Sequence, residues 1–191
     1  MAEHEIKDAD ISRGCRQNRP DAWRLLVRRY SPLVYRLAMR MLKDVQAAED
    51  ATQEVFMAVH RAIDSHDPTR PLAPWLARIT YNGCLKRLAR TRRSADKELV
   101  LDAEDIPDPG PAVSPENLAS RQQRSEQIEQ ALDRLSAQDR GLIVMRYREG
   151  FSDSEISHTT GMPVGTVKTR LHRARSKLKK YLMPYFQEDF P

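Results

Sequence analysis

Apolar and polar positions alternate along this chain with the period of α-helices. Over residues 21–42, Trp23, Leu26, Val27 and Tyr30 recur at helical spacing, and Val34, Leu37, Ala38, Met41 and Leu42 continue the stripe. Asp21, after Pro20, is the expected cap; Pro32 lacks an amide hydrogen and predicts a kink or short break near Ser31. Asp44 is predicted to cap a second helix, VQAAEDATQEVFMAVHRAI. Its apolar face holds Ala48, Ala51, Val55 and Val59, with Phe56 and Ile63 beside it, while Asp50 and Glu54 fall on the other side. The stretch DSHDPTRPLAP carries three prolines in eleven residues and predicts a stiff loop. Helical spacing returns from Trp75 to about Arg93, with Trp75 and Ile79 read as core. No β-hairpin signal and no internal repeat interrupts the pattern.

Charge divides the chain into blocks. Residues 81–95 carry five basic residues and no acid, whereas 98–117 carry six acids, four prolines and no base. Such a segment buries little and repels itself, so an extended linker is expected there. Beyond it, from near Leu118, Ile128, Ala131, Leu132 and Leu135 form one stripe, and Ser136 is placed to cap a helix carrying Leu142, Ile143 and Met145. The expected fold is all-α: two small helical domains, 1–95 and 118–191, joined by a flexible acidic, proline-rich linker at 96–117.

After Gly150 the sequence FSDSEISHTTGMPVGTVKTRL combines three signals. Ser152 and Glu155 have capping-box spacing. Gly161 stands where a sharp turn calls for positive φ. Pro163 suits the first turn of a following helix. Helix, glycine turn and helix together predict a helix-turn-helix. The second helix is basic, with seven Lys or Arg and no acid over 161–180. At 3.6 residues per turn, Val167, Leu171, Ala174 and Leu178 fall within roughly 40° of one another and must face the domain. Thr169, His172, Arg173 and Ser176 then face outward, with Lys168 on one flank. Arg173 and Lys168 can donate to guanine edges, and Thr169 suits a thymine methyl or a hydrogen bond. Gly165 and Thr166 bring first-turn amides near a phosphate. Arg170, Lys177, Lys179 and Lys180 read as phosphate attraction or solvated charge. His172 reads equally as a DNA contact or a plain surface histidine.

Other chemistry is sparse. Cys15 and Cys84 lie far apart, with no metal-ligand spacing, and read as two reduced thiols of a cytoplasmic protein. No apolar run approaches the ~18 residues of a membrane span, and the acidic start is no signal peptide. Asp8, Asp10, Glu49 and Asp50 fit no nucleophile, metal or phosphate-loop pattern. No enzyme activity, cofactor, metal site or membrane insertion is expected.

Three motifs carry a resemblance. PVGTVKTRLHRARSKL resembles the region 4 helix-turn-helix of extracytoplasmic-function (Group IV) sigma factors of bacterial RNA polymerase. AEDATQEVFMAV resembles region 2.2, and PWLARITYNGCLKRLARTRR is similar to regions 2.3 and 2.4. The resemblance implies that 1–95 is region 2, which binds the β′ clamp helices of core RNA polymerase and recognises and melts the promoter −10 element. It implies that 118–191 is region 4, which binds the β flap and reads the −35 element. Lys168, Thr169, His172 and Arg173 match the −35 readers, with Gly165 and Thr166 at the helix start. Asn82 and Lys86 fall at −10 positions, and Arg87, Arg90, Arg92 and Arg93 would track the DNA backbone. Asp50, Gln53 and Glu54 lie in the polymerase-binding motif. The loop over 66–74 occupies the place where the family captures an extruded base. Leu72 stands where the family often has an aromatic, Lys86 where it often has Asp, and Gly83 is unusual inside a helix. The linker would lie in the RNA path of the polymerase, its acids mimicking a transcript. An anti-sigma partner and a stress-response role are also implied. The alternative is a helix-turn-helix regulator that works alongside another sigma factor.

Overall fold

The computed structural model describes residues 7–98 and 121–183, with side chains over 7–92 and 127–183. The described residues form helices α1 (Asp8–Arg16), α2 (Pro20–Leu42), α3 (Val45–Ala62), α4 (Leu72–Glu98), α5 (Arg121–Asp133), α6 (Ala137–Ile143), α7 (Asp153–Thr160) and α8 (Val164–Leu182). A 3₁₀ turn, Ile63–Ser65, follows α3, and a π turn, Val144–Arg148, follows α6.

In the first half, α2 packs on α1, α3 and α4. Leu26, Val34, Leu37, Ala38 and Met41 of α2 bury against Ala48, Ala51, Val55 and Val59 of α3 and Leu72, Leu76, Tyr81 and Cys84 of α4. Asp44 caps α3 as expected, accepting from the Ala47 amide at 2.6 Å. Four expectations are corrected. Pro20 itself takes the first helical position of α2, so Arg19 becomes the cap residue and Asp21 lies inside the first turn, paired with Arg19 at 2.5 Å. No break interrupts α2 at Pro32: Tyr30, Leu33, Val34 and Leu37 seat both sides of it on one core, and the Ser31 hydroxyl donates to the Val27 carbonyl at 2.7 Å. Val27, placed on the buried stripe by spacing, is 40% exposed. α4 also begins at Leu72, three residues ahead of Trp75, because the Asp8 carboxylate caps the Leu72 amide at 2.8 Å. Leu72 is therefore a core residue and not part of an open loop.

In the second half, α8 packs on α5, α6 and α7. Ser136 caps α6 by accepting from the Asp139 amide at 3.1 Å. Ala131, Leu132 and Leu135 are buried as expected, but Ile128 is 43% exposed, since α5 turns that side to solvent. α4 reaches Glu98, so its last turn enters the span read as linker. The remainder of that span, 99–117, and Leu118 lie outside the described residues.

The two halves touch, and their buried residues form one contiguous cluster. α6 lies on α2 and α4, and α7 on α4. A Cβ built on Gly141 of α6 would meet the Tyr81 ring at 3.0 Å and the Met41 sulfur at 3.3 Å, so glycine permits this close approach. Around it, Arg36 grips Glu149 with two bonds of 2.9 and 3.0 Å. Arg40 pairs with Glu129, and Lys43 with Asp133 at 3.1 Å. The Thr159 hydroxyl donates to the Pro74 carbonyl at 3.3 Å.

Candidate nucleic-acid interface

The helix-turn-helix is built by local signals. The Ser152–Glu155 capping box forms on both sides, with the Glu155 amide at 3.2 Å from the serine oxygen and the Ser152 amide at 2.8 Å from the glutamate. Gly161 ends α7 with φ 75° in the left-handed region. The Ser157 hydroxyl then pins the turn by donating to the Met162 carbonyl at 2.6 Å. Pro163 serves as the cap residue of α8 and offers no side-chain acceptor. The first-turn amides, including those of Gly165 and Thr166, keep their hydrogens available to an incoming oxygen.

Val167, Leu171 and Ala174 are buried under α8, while Lys168, Thr169, His172, Arg173 and Ser176 are exposed on its outer side. Thr169 Oγ1 donates to the Gly165 carbonyl at 2.9 Å, so its methyl and its lone pairs are what it offers outward. Arg170 is corrected. It is not solvated charge: it bonds Asp139 and Gln138 at 2.8 and 2.7 Å and ties α8 to α6. Lys177 and Lys180 are exposed, as is Lys179.

A second polar stripe runs along α4. Asn82, Lys86 and Arg90 are exposed and follow one another every fourth residue, hence along one face. Arg78 stands one turn before Asn82 and is also exposed, and its guanidinium donates to the His158 carbonyl of α7 at 3.5 Å. Residue-by-residue matching missed it, although the four-residue spacing could have found it. Arg92 is exposed, and the Arg93 side chain lies outside the described residues. Arg87 departs from the stripe and crosses to α3, bonding Asp50 at 2.9 Å and Glu54 at 3.3 Å. Two sets kept apart by the sequence reading, Asp50/Gln53/Glu54 and the basic residues of α4, thus meet through Arg87.

Beside exposed Gln53 lies an open apolar groove lined by Trp23, Val27, Phe56, Met57 and His60. The Trp23 ring stacks on the His60 ring at 4.8 Å, and Met57 is 54% exposed. Spacing alone does not reveal this groove, because Met57 falls off the buried stripe of α3 and Val27 has the spacing of a core residue. Trp75 and Ile79 are half-buried against the core, and the Trp75 ring tilts over His66 at 4.9 Å. Both cysteines are free and buried; burial raises the Cys15 thiol to about 11 and the Cys84 thiol to about 12. Among the described residues there is no group of His, Cys, Asp and Glu able to hold a metal, and no helix is long and apolar enough to cross a membrane.

Known proteins resemble this chain over most of its length. Residues 26–94 match Sigma-70 region 2 and residues 125–178 match Sigma-70 region 4, so the first match takes in α3 and most of α2 and α4, and the second takes in α6, α7 and most of α5 and α8. The ECF RNA polymerase sigma factor SigW of Bacillus subtilis is 36% identical over 171 residues, 85% of this chain and 89% of SigW. The ECF sigma factor SigE of Mycolicibacterium smegmatis is 35% identical over 87% of this chain and 64% of that longer relative. CnrH, solved in complex with the cytosolic domain of CnrY, superposes with a TM-score of 0.66 at 25% identity, over 96% of this chain and 99% of CnrH. The chain belongs to the extracytoplasmic-function sigma factors, the promoter-directing initiation factors of RNA polymerase.

Proposed function

We propose that the chain directs core RNA polymerase to promoters through three surfaces formed by residues named above, together with a contact of the second half to the β flap. Lys168, Thr169, His172 and Arg173 on α8 read base edges of the −35 element in the major groove, and the first-turn amides of Gly165 and Thr166 take a backbone phosphate. Asn82, Lys86 and Arg90 on α4 lie along the −10 strand, with Arg78 extending the stripe, and Arg92 and Arg93 follow the backbone. Asp50, Gln53 and Glu54, with the apolar groove beside them, take the β′ clamp helices, and the second half takes the β flap. Arg87 acts here by holding Asp50 and Glu54 in place. The domains are region 2 over 1–95, the linker over 96–117 and region 4 over 118–191. The observation that carries the reading is the exposed set on α8, standing over a buried stripe that fixes its orientation.

The polymerase supplies the chemistry, and this protein supplies binding energy and strand separation without cofactor or catalytic group, in the cytoplasm. CnrH is held by CnrY in its solved complex, and an anti-sigma protein of that kind is the expected inhibitor here. Elements one and a half duplex turns apart lie about 50 Å from each other. The contacts joining the halves, Arg36 with Glu149 and Gly141 with Tyr81, therefore open before both elements are engaged.

A competition experiment tests this reading. Core polymerase is mixed with the chain and a labelled promoter library, and bound DNA is sequenced. Enrichment of paired −10 and −35 elements, with −35 preference altered in Arg173→Ala, is the expected result. Enrichment that needs a second sigma factor would transfer the protein to the regulator class.

A further inference from the structure

The segment between the 3₁₀ turn and α4, residues 66–71, is held at its middle by Asp67. The Asp67 carbonyl takes the Arg70 amide at 2.9 Å, and its carboxylate takes the Thr69 amide at 2.9 Å and the Thr69 hydroxyl at 2.7 Å and pairs with Arg70 at 3.6 Å, while the Arg70 guanidinium also reaches His158 Nε2 at 3.2 Å. Its two ends are tied elsewhere, both to α1. At the far end, Asp8 caps Leu72 at 2.8 Å, and its other carboxylate oxygen receives the Tyr30 hydroxyl. At the near end, the buried Ser12 hydroxyl meets His66 Nδ1 at 2.9 Å, and burial lowers the pKa of the imidazole. Arg16 donates to the Asp64 carbonyl at 3.0 Å and to the His66 carbonyl, the acceptors left free where the 3₁₀ turn ends. Asp8, Ser12 and Arg16 are each four residues apart, so one face of α1 carries all three. The Sigma-70 region 2 match begins only at residue 26, beyond α1.

We infer that α1 positions the 66–71 loop for promoter reading, with Asp8, Ser12 and Arg16 as positioning residues that fix both ends of the loop and touch no DNA. The inference rests on the reading of this loop as part of the −10 site. The bonds around Asp67 hold the middle of this six-residue loop but leave its ends free, and affinity is lost in proportion to the fraction of time the loop spends misplaced. Fixing both ends removes that loss for the cognate strand and leaves backbone attraction unchanged, so α1 acts on base discrimination rather than on bulk affinity.

The test uses the full chain with core polymerase and measures discrimination between a cognate −10 single strand and one with a single base changed. Arg16→Ala and Asp8→Ala are compared with the loop variant T69A/R70A, and polymerase affinity and thermal melting are followed in parallel. The expected result is a discrimination ratio lowered about fivefold or more by each α1 variant, with polymerase affinity unchanged. Arg16→Gln decides the matter if Asp8→Ala melts below the assay temperature, because Arg16 is only partly buried and glutamine keeps its stem while removing the charge. Unchanged discrimination in the Arg16 variants, beside a clear loss in T69A/R70A, overturns the inference and leaves the −10 reading standing. Unchanged discrimination in T69A/R70A itself overturns both.

Discussion

Replacing Gly141 with leucine separates the two halves of the molecule. The first added carbon already lies 3.0 and 3.1 Å from two carbons of the Tyr81 ring and 3.3 Å from the Met41 sulfur. Tyr81 and Met41 are each 1% exposed, so neither has open space to retreat into. Overpacking of this kind costs about 1–3 kcal/mol, and three further carbons of leucine place the cost toward the upper end. Gly141 belongs to α6, whereas Tyr81 and Met41 belong to α4 and α2, so the strain vanishes when the halves part. Each half keeps its own helices, and leucine favours α6 over glycine by most of a kcal/mol. A closed-to-open ratio should fall roughly 5- to 150-fold, at about 1.4 kcal/mol per tenfold. Small-angle scattering reads the outcome. A closed chain of this length has a radius of gyration near 16 Å, and two bodies held ~50 Å apart would give about 28 Å. Gly141→Leu should move several ångströms upward from the unsubstituted protein with helix content retained. An unchanged radius would refute the argument that this contact joins the halves.

Three other outcomes follow from single residues. Gly83 is an exposed helix-interior glycine whose added Cβ would meet only Val55 Cγ2, at 4.0 Å, so Gly83→Ala should stabilise the fold by about 1 kcal/mol and raise Tm by about 2–4 °C in a thermal melt. Cys15 and Cys84, raised to about 11 and about 12, should resist a thiol reagent at pH 8 until denaturant is added. Because the unfolded thiols ionise first, near ~8.5, their contribution to stability is whole below that pH and declines from there up to the folded values; denaturant midpoints measured from pH 7 to 10.5 should fall accordingly. Arg173→Ala should weaken one −35 base preference by about 1–3 kcal/mol in promoter titrations while polymerase binding holds, and equal loss on both would contradict its outward assignment.

What the sequence revealed, and what it hid, divides by range. The Asp44 cap, the Ser152–Glu155 box, the Gly161 turn and the Val167–Leu171–Ala174 stripe depend on neighbours within a few residues, and each appears as expected. Leu72 as a helix start depends on Asp8, 64 residues earlier, and Pro-rich composition concealed it. Arg170 is identical in kind to the solvated cations around it; only the arrival of Asp139 and Gln138 on α6 sets it apart. Arg87 likewise sits in a basic run, and its turn toward Asp50 and Glu54 depends on how α3 lies against α4. Val27 and Ile128 had core spacing but lacked a facing helix, so period alone misplaced them. The docking of the two halves left no local mark except Gly141.

On this reading the chain gives core RNA polymerase its promoter address without any other sigma factor. Run-off transcription with mapped start sites tests it most directly, using core polymerase free of other sigma factors and a pool of genomic templates. Discrete starts are expected, each preceded by a shared pair of elements about one and a half duplex turns apart, and lost when Lys168, Thr169, His172 and Arg173 are replaced together by alanine. Folded, inhibitor-free protein that yields no discrete start on any template would contradict it.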